Sequence, residues 1–174
     1  SQGKDALSIA GGSYIYSFES HFRNTASNGE VLLVGHTSGT HLVEHTVFDR
    51  CKFERTTVGA GPIVGSNTSQ VNLCVFRNCI EINCNHQIGG SSGSVATNVK
   101  RYNSTTIYSP SSVSGRVSGA TSQVGVPTGF IMQSCLCVNA NMQYASSGKT
   151  AGVISFRTSD DLATEVSSIL NNIT

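Results

Sequence analysis

The chain has 174 residues, enough for one domain with a core of its own. Charged residues make up only 12% and the formal net charge is +1, which excludes the basic footprint of a nucleic-acid binder and strong attraction to an anionic membrane surface. No apolar run approaches the roughly 20 residues of a membrane span, and the 26 Ser, 16 Thr, 13 Asn and 18 Gly favour turns and β-structure over long helices.

The chain opens at Ser1 in sequence that already reads as folded, and no signal peptide is visible. It is therefore expected to be a processed form or a piece of a longer protein. From Ser20 a six-residue pattern returns six times. It runs Ser20-His21-Phe22-Arg23-Asn24-Thr25, then Cys51-Lys52-Phe53-Glu54-Arg55-Thr56, then Cys74-Val75-Phe76-Arg77-Asn78-Cys79. It continues as Lys100-Arg101-Tyr102-Asn103-Ser104-Thr105, Cys135-Leu136-Cys137-Val138-Asn139-Ala140 and Ile154-Ser155-Phe156-Arg157-Thr158-Ser159. The third positions advance in steps of 31, 23, 26, 35 and 19 residues, a spacing characteristic of stacked repeats.

Side chains alternate along a strand, so the first and third residues of each unit share a face. The pattern predicts that Cys51 and Phe53, Cys74 and Phe76, and Ile154 and Phe156 point inward, with Lys52, Val75 and Ser155 outward. The fifth position (Asn24, Arg55, Asn78, Ser104, Asn139, Thr158) is the expected corner, where Asn tolerates a left-handed backbone. In this frame Lys100 falls on an inward position. A competing frame aligns Phe48-x-x-Cys51 with Phe76-x-x-Cys79, a step of 28 residues. Both frames yield a solenoid, but they disagree about which residues face in.

The short strands, the Phe, Cys and Ile ladders and the Asn-rich corners resemble the right-handed parallel β-helix of the pectin-lyase-like superfamily. The resemblance covers most of residues 5–158 and concerns fold alone. It implies an all-β chain of about six coils, a single β-solenoid domain over 1–174 or a segment of a longer one. A β-sandwich is the alternative. Residues 109–128, SPSSVSGRVSGATSQVGVPT, read as a long Ser/Gly/Pro-rich excursion. Residues 159–173 read as a short C-terminal helix that closes the solenoid. Ser159 or Asp160 caps it, Asp160 and Asp161 suit its positive end, and Leu162, Val166, Ile169, Leu170 and Ile173 follow helical spacing.

The cysteines at 51, 74, 79, 84, 135 and 137 lack the spacing of a zinc site. They are expected as buried thiols, with disulfides between adjacent rungs as the alternative. His36, His41 and His45 lie close in sequence, but Thr40 to Phe48 reads as strand, which favours solvated or hydrogen-bonded histidines over a metal pair. A polysaccharide hydrolase needs two carboxyls on one face. Asp160-Asp161 is the only adjacent acidic pair, and Glu19, Asp49 and Glu54 could share an outer face only weakly. The reading is therefore a non-catalytic structural or adhesive β-helix outside the cell or on its surface, without cofactor, metal or catalytic set. It would bind carbohydrate or protein at a coil face or through 109–128. The alternatives are a polysaccharide-processing enzyme or a fragment of one, such as a viral tail-spike piece, and a module that associates end to end with other chains.

Overall fold

A computed structural model of the chain describes residues 5–26, 29–35, 42–65, 70–88, 95–107, 116–118, 131–138, 141–143, 149–151 and 154–156. Of these, 58–60, 86–87, 116–118, 141–143, 149–151 and 154–156 are described by their backbone alone. The described residues are all-β, with no helix among them. Their strands pair in parallel register, coil upon coil, in two principal stacks of ten and eight strands. The protein is a β-solenoid, which removes the sandwich alternative.

One eleven-residue unit generates the coil. Residues 43, 46, 48, 51 and 53 point inward, and 71, 74, 76, 79 and 81 repeat them, as do 96, 99, 101, 104 and 106; all fifteen side chains are buried. Simple alternation would not give this spacing. It arises because the backbone turns left-handed twice per unit. The first turn falls at Tyr14, His45, Leu73 and Asn98, and the second, five residues later, at Glu19, Arg50, Asn78, Asn103 and Ser134. The second turn is the corner between the two stacks.

The backbone ladder passes through that corner unbroken. The Arg50 amide donates to Arg77 O, Asn78 to Tyr102 O and Asn103 to Gln133 O, at 3.0–3.1 Å. On the far side Lys52 donates to Ser20 O, Ile80 to Cys51 O and Thr105 to Cys79 O, at 2.9–3.0 Å. The residue just after the left-handed position of this corner is always Ser or Cys among the described residues. Its hydroxyl or thiol donates to the carbonyl two residues back: Ser20 to Phe18, Cys51 to Asp49, Cys79 to Arg77, Ser104 to Tyr102 and Cys135 to Gln133. A small side chain with a donor fits the inside of so tight a bend. Cys84, after left-handed Asn83, donates to Ile82 O in the same way. Gly61 serves a different constraint: a Cβ there would lie 2.6 Å from Cys84 Cβ, where the long strand Lys52–Val64 bulges against its neighbour.

The inward residues either side of the corner stack in two rows. One row is Ser17, Phe48, Phe76, Arg101 and Met132; the other is Phe22, Phe53, Glu81, Thr106 and Cys137. Phe48 stacks on Phe76 with centroids 5.1 Å apart, and Phe22 on Phe53 at 5.4 Å. Across the corner Phe53 meets Phe48 and Phe76 edge-on, at 5.6 and 5.9 Å. The third side is lined by Ile9, Val34, Val64 and Ile88.

The next rung replaces aromatics with charge. Arg101 Nη2 lies 3.1 Å from Glu81 Oε2, and Thr106 Oγ1 donates to that carboxylate at 3.1 Å and accepts from Arg101. Both charged side chains are buried. Burial is the largest influence and works against the Arg101 charge, but the facing Glu81 carboxylate, together with Cys137, Cys135 and Cys79, holds the guanidinium pKa above its usual value. Arg101 Nε and Nη1 have no hydrogen-bond partner among the described residues.

These contacts select the 28-residue frame and correct the first one. Phe53 pairs in register with Glu81, and Phe76 with Phe48 and Arg101. Lys100 is not inward; Arg101 is, and Tyr102 lies in the column of Arg77. Phe156 pairs with Val138, not with Cys137. Asn24 and Arg55 sit inside strands, whereas Asn78 does take the left-handed turn. Within 109–128, Arg116–Ser118 form a strand paired with Asn141–Gln143; the rest of that segment, and the helix expected over 159–173, lie outside the described residues.

Phe76→Ala removes a fully buried ring shared by both rows, and should cost about 3–5 kcal/mol in chemical denaturation. Arg101→Met alone strands the Glu81 carboxylate in the core and should cost about 3–5 kcal/mol. Combining Glu81→Leu, Arg101→Met and Thr106→Val removes the three contacting polar groups together and should recover most of that loss in the same titration.

Candidate functional site

The outer face of the eight-stranded stack carries an aromatic and ionic surface. Its columns run Tyr16, Val47, Val75, Lys100, Ile131 and Phe18, Asp49, Arg77, Tyr102, Gln133. Tyr14, held left-handed, projects farthest, with 80% of its surface exposed, against 57% for Tyr16 and 45% for Phe18. Tyr14 lies flat against His45, with ring centroids 4.9 Å apart and planes 5° from parallel. Tyr16 and Phe18 follow at 6.2 Å and 16°. The guanidinium of Arg50 covers Phe18 at 5.4 Å from the ring centre and bonds Glu19 at 3.2 Å.

Asp49 ties three coils together beneath these rings. Its carboxylate receives the Tyr16 hydroxyl at 3.2 Å, Arg77 Nη2 at 2.9 Å and the Asn78 amide at 3.1 Å. Burial pushes its pKa up, but the Asn78 and Arg77 hydrogen bonds and the Arg77 charge prevail, and the carboxyl stays below its usual range. The result is a fixed platform: aromatic rings spaced along one strand that the β-ladder holds in place, with guanidinium and carboxylate groups beside them. Such a surface can stack on sugar rings or planar side chains while donating and accepting hydrogen bonds.

The three acids singled out in the sequence divide. Glu19 pairs with Arg50 and Asp49 with Arg77 on this face, while Glu54 lies on the other sheet. Lys52, His21 and Arg23 surround Glu54 at 2.8, 2.9 and 3.9 Å. The Lys52 hydrogen bond, aided by those of its neighbours, holds its pKa low against burial. Acids neutralised in this way suit structure better than proton transfer. His36 and His41 lie outside the described residues, as do the acids at 160, 161 and 165. Among the described residues no group of three or more His, Cys, Asp or Glu converges as a metal site.

All six cysteines are buried and free, so the thiol expectation holds and no disulfide joins the rungs. Desolvation pushes the Cys79 and Cys137 thiols up to about 12, and raises Cys74, Cys84 and Cys135 as well. Such thiols are poor nucleophiles.

One acidic pair escaped the sequence reading, because its members stand 25 residues apart. Asp5 accepts the Glu30 amide at 3.0 Å beside the carbonyls of Ala26, Gly29 and Glu30, which Asn24 and Arg55 hold. Burial, then the hydrogen bond and negative charge of Asp5, raises the Glu30 carboxyl to about 7, with Arg55 opposing. No family model, curated protein or solved structure matches this chain.

A carboxyl raised from 4.5 to about 7 favours its protonated form in the fold. Its contribution to stability is therefore intact below the unfolded pKa and lost as pH rises through the folded one. Glu30→Gln should match the parent in thermal unfolding near pH 4.5 and unfold at higher temperature near pH 8. Equal transitions at both pH values would remove the linkage.

Proposed function

We propose that this protein is a non-catalytic binding rod: a right-handed parallel β-helix of about six coils, of pectin-lyase-like style, that adheres to carbohydrate at the cell surface or outside it. The handedness follows from the overwhelming preference of parallel crossovers for the right hand. Corners at 19, 50, 78, 103 and 134 and the strand Ile154–Phe156 beyond them support that coil number. One observation carries the functional reading. The three most exposed aromatic side chains of the described residues are Tyr14, Tyr16 and Phe18, gathered on one rigid face with Asp49, Arg50 and Arg77 interleaved. Glycans are recognised by flat rings flanked by charged and amide hydrogen-bonding groups, and a face fixed by a β-ladder loses little freedom on binding. Unreactive buried thiols are compatible with an oxidising exterior. A polysaccharide-processing role has less support, since Asp49 and Glu54 are each engaged by cations.

End-to-end assembly is a second reading, favoured by a separate observation. The strands Tyr16–Phe18 and His21–Asn24 are each paired along one side only among the described residues, and Leu7, Ile15 and Phe22 are only partly buried at that end of the core. Another parallel coil would complete both.

The test is binding to a panel of neutral and acidic glycans. Tyr14→Ser, Tyr16→Ser and Phe18→Ser should each weaken the best ligand by about tenfold, as expected for loss of one aromatic contact, with thermal stability nearly unchanged for Tyr14→Ser and Phe18→Ser and modestly lowered for Tyr16→Ser, which also loses the bond to Asp49. The panel should yield no reducing ends or unsaturated sugars. Undiminished binding by the triple variant would reject this face, and product release would reject the non-catalytic reading.

A further inference from the structure

The first coil leaves an open edge at its end of the solenoid. Its strands Tyr16–Phe18 and His21–Asn24 pair with the second coil and with no other strand among the described residues. The ladder fixes which backbone groups stay open there. Ile15 O accepts the Val47 amide, the Glu19 amide donates to Asp49 O, and Ser20 O accepts the Lys52 amide. Backbone groups alternate in direction along a strand, so the amides and carbonyls of Tyr16, Phe18, His21 and Arg23 face away from the second coil. Phe18 O accepts the Ser20 hydroxyl and retains a lone pair for another donor. Beneath them Ser17 and Phe22 close the core only in part. An exposed edge of this kind is a template for another chain.

We propose that the partner on this edge is a second copy of the chain, joined head to head about a two-fold axis through the corner between Glu19 and Ser20. Each copy's strand Tyr16–Phe18 then pairs antiparallel with the other copy's His21–Asn24. The inference rests on the assembly reading, which it makes specific, and not on the glycan-binding reading. Three features favour this occupant. First, the symmetry and the hydrogen bonding agree. Setting corner on corner puts Phe18 opposite His21 of the second copy, Ser17 opposite its Phe22 and Tyr16 opposite its Arg23. In that register Phe18 with His21, and Tyr16 with Arg23, are pairs whose backbone groups face each other. Ser17 with Phe22 is the intervening pair, whose groups point back into their own coils. The same register sets inward residues against inward ones. Second, the side chains complement. The small Ser17 receives the Phe22 ring of the other copy, Arg23 stands beside the Tyr16 ring, and His21 beside that of Phe18. Glu54 engages His21 and Arg23 from the coil below at 2.9 and 3.9 Å, and Glu19 faces Ser20, so no two like charges stand opposite. Third, an isologous join needs only the surface that this end carries, and it closes at two copies. Addition of a parallel coil needs a different surface on the partner.

The test uses the full chain. Light scattering should give twice the chain mass, with no further growth as concentration rises. Phe18→Pro removes an amide that faces the open edge, and should abolish the dimer while the β-type circular dichroism is kept. Phe18→Cys and His21→Cys, prepared separately, should each resist a short thiol crosslinker and should join once mixed, because the two positions stand opposite only across the axis. The native cysteines are buried and do not compete. A dimer that survives Phe18→Pro, or one without the mixed crosslink, would overturn the proposal. Growth beyond two copies without that crosslink would overturn the head-to-head join and leave end-to-end assembly standing, whereas a monomer at every concentration would sink both. If Phe18→Pro fails to fold, the crosslinks decide alone. Glycan binding at Tyr14, Tyr16 and Phe18 is read separately, so its failure leaves this result standing.

Discussion

The structure depends on a backbone residue that most side chains resist: one held left-handed at each corner. Ten residues other than glycine adopt positive φ among the described residues. Each such position costs an L-residue about 1–2 kcal/mol, so the arrangement persists only because its surroundings offset that cost. The amide ladder runs through the corner without losing a hydrogen bond, and a Ser or Cys donor satisfies the carbonyl that ends each strand. The same bend turns successive inward side chains toward one another, which is why Phe53 packs edge-on against Phe48 and Phe76. Loss of the bend would dismantle the ladder and the core together.

The core built on those corners is not uniform. Its aromatic half ends at Phe76, and the next rungs hold Glu81, Arg101 and Thr106 in contact. A buried ion pair is weak evidence of stability, because desolvation consumes most of the attraction. Its effect on specificity is clearer here. A slip of one rung would set the Arg101 guanidinium beside apolar side chains and leave the Glu81 carboxylate without its cation. Stacked strands of similar composition are prone to such slips, and the pair penalises the wrong register far more than it rewards the right one.

Much of this was legible in the sequence, and what was not has physical causes. Phe76 and Cys79 repeat Phe48 and Cys51 at constant spacing, so the correct frame was present beside the wrong one. The choice between them turns on the left-handed positions. Asn78, Asn98 and Asn103 advertise such a bend, but Tyr14, His45, Arg50 and Leu73 adopt it without a local signal, imposed by their neighbours in adjacent coils. Glu81 and Arg101 were missed for the opposite reason. A charged residue in a strand is ordinarily outward, and only the stacking of successive coils brings these two, 20 residues apart in sequence, to each other. Tyr16 and Phe18 precede the repeat pattern, so nothing local marked them as a surface.

The six cysteines have a practical consequence. They are distributed along the solenoid from Cys51 to Cys137, each sealed inside it, and none is bridged. A thiol reagent can reach one only when its own coil opens. Pulses of alkylation, read cysteine by cysteine, would therefore record the order in which the coils fray and close, with probes the chain already carries and no foreign label in its interior.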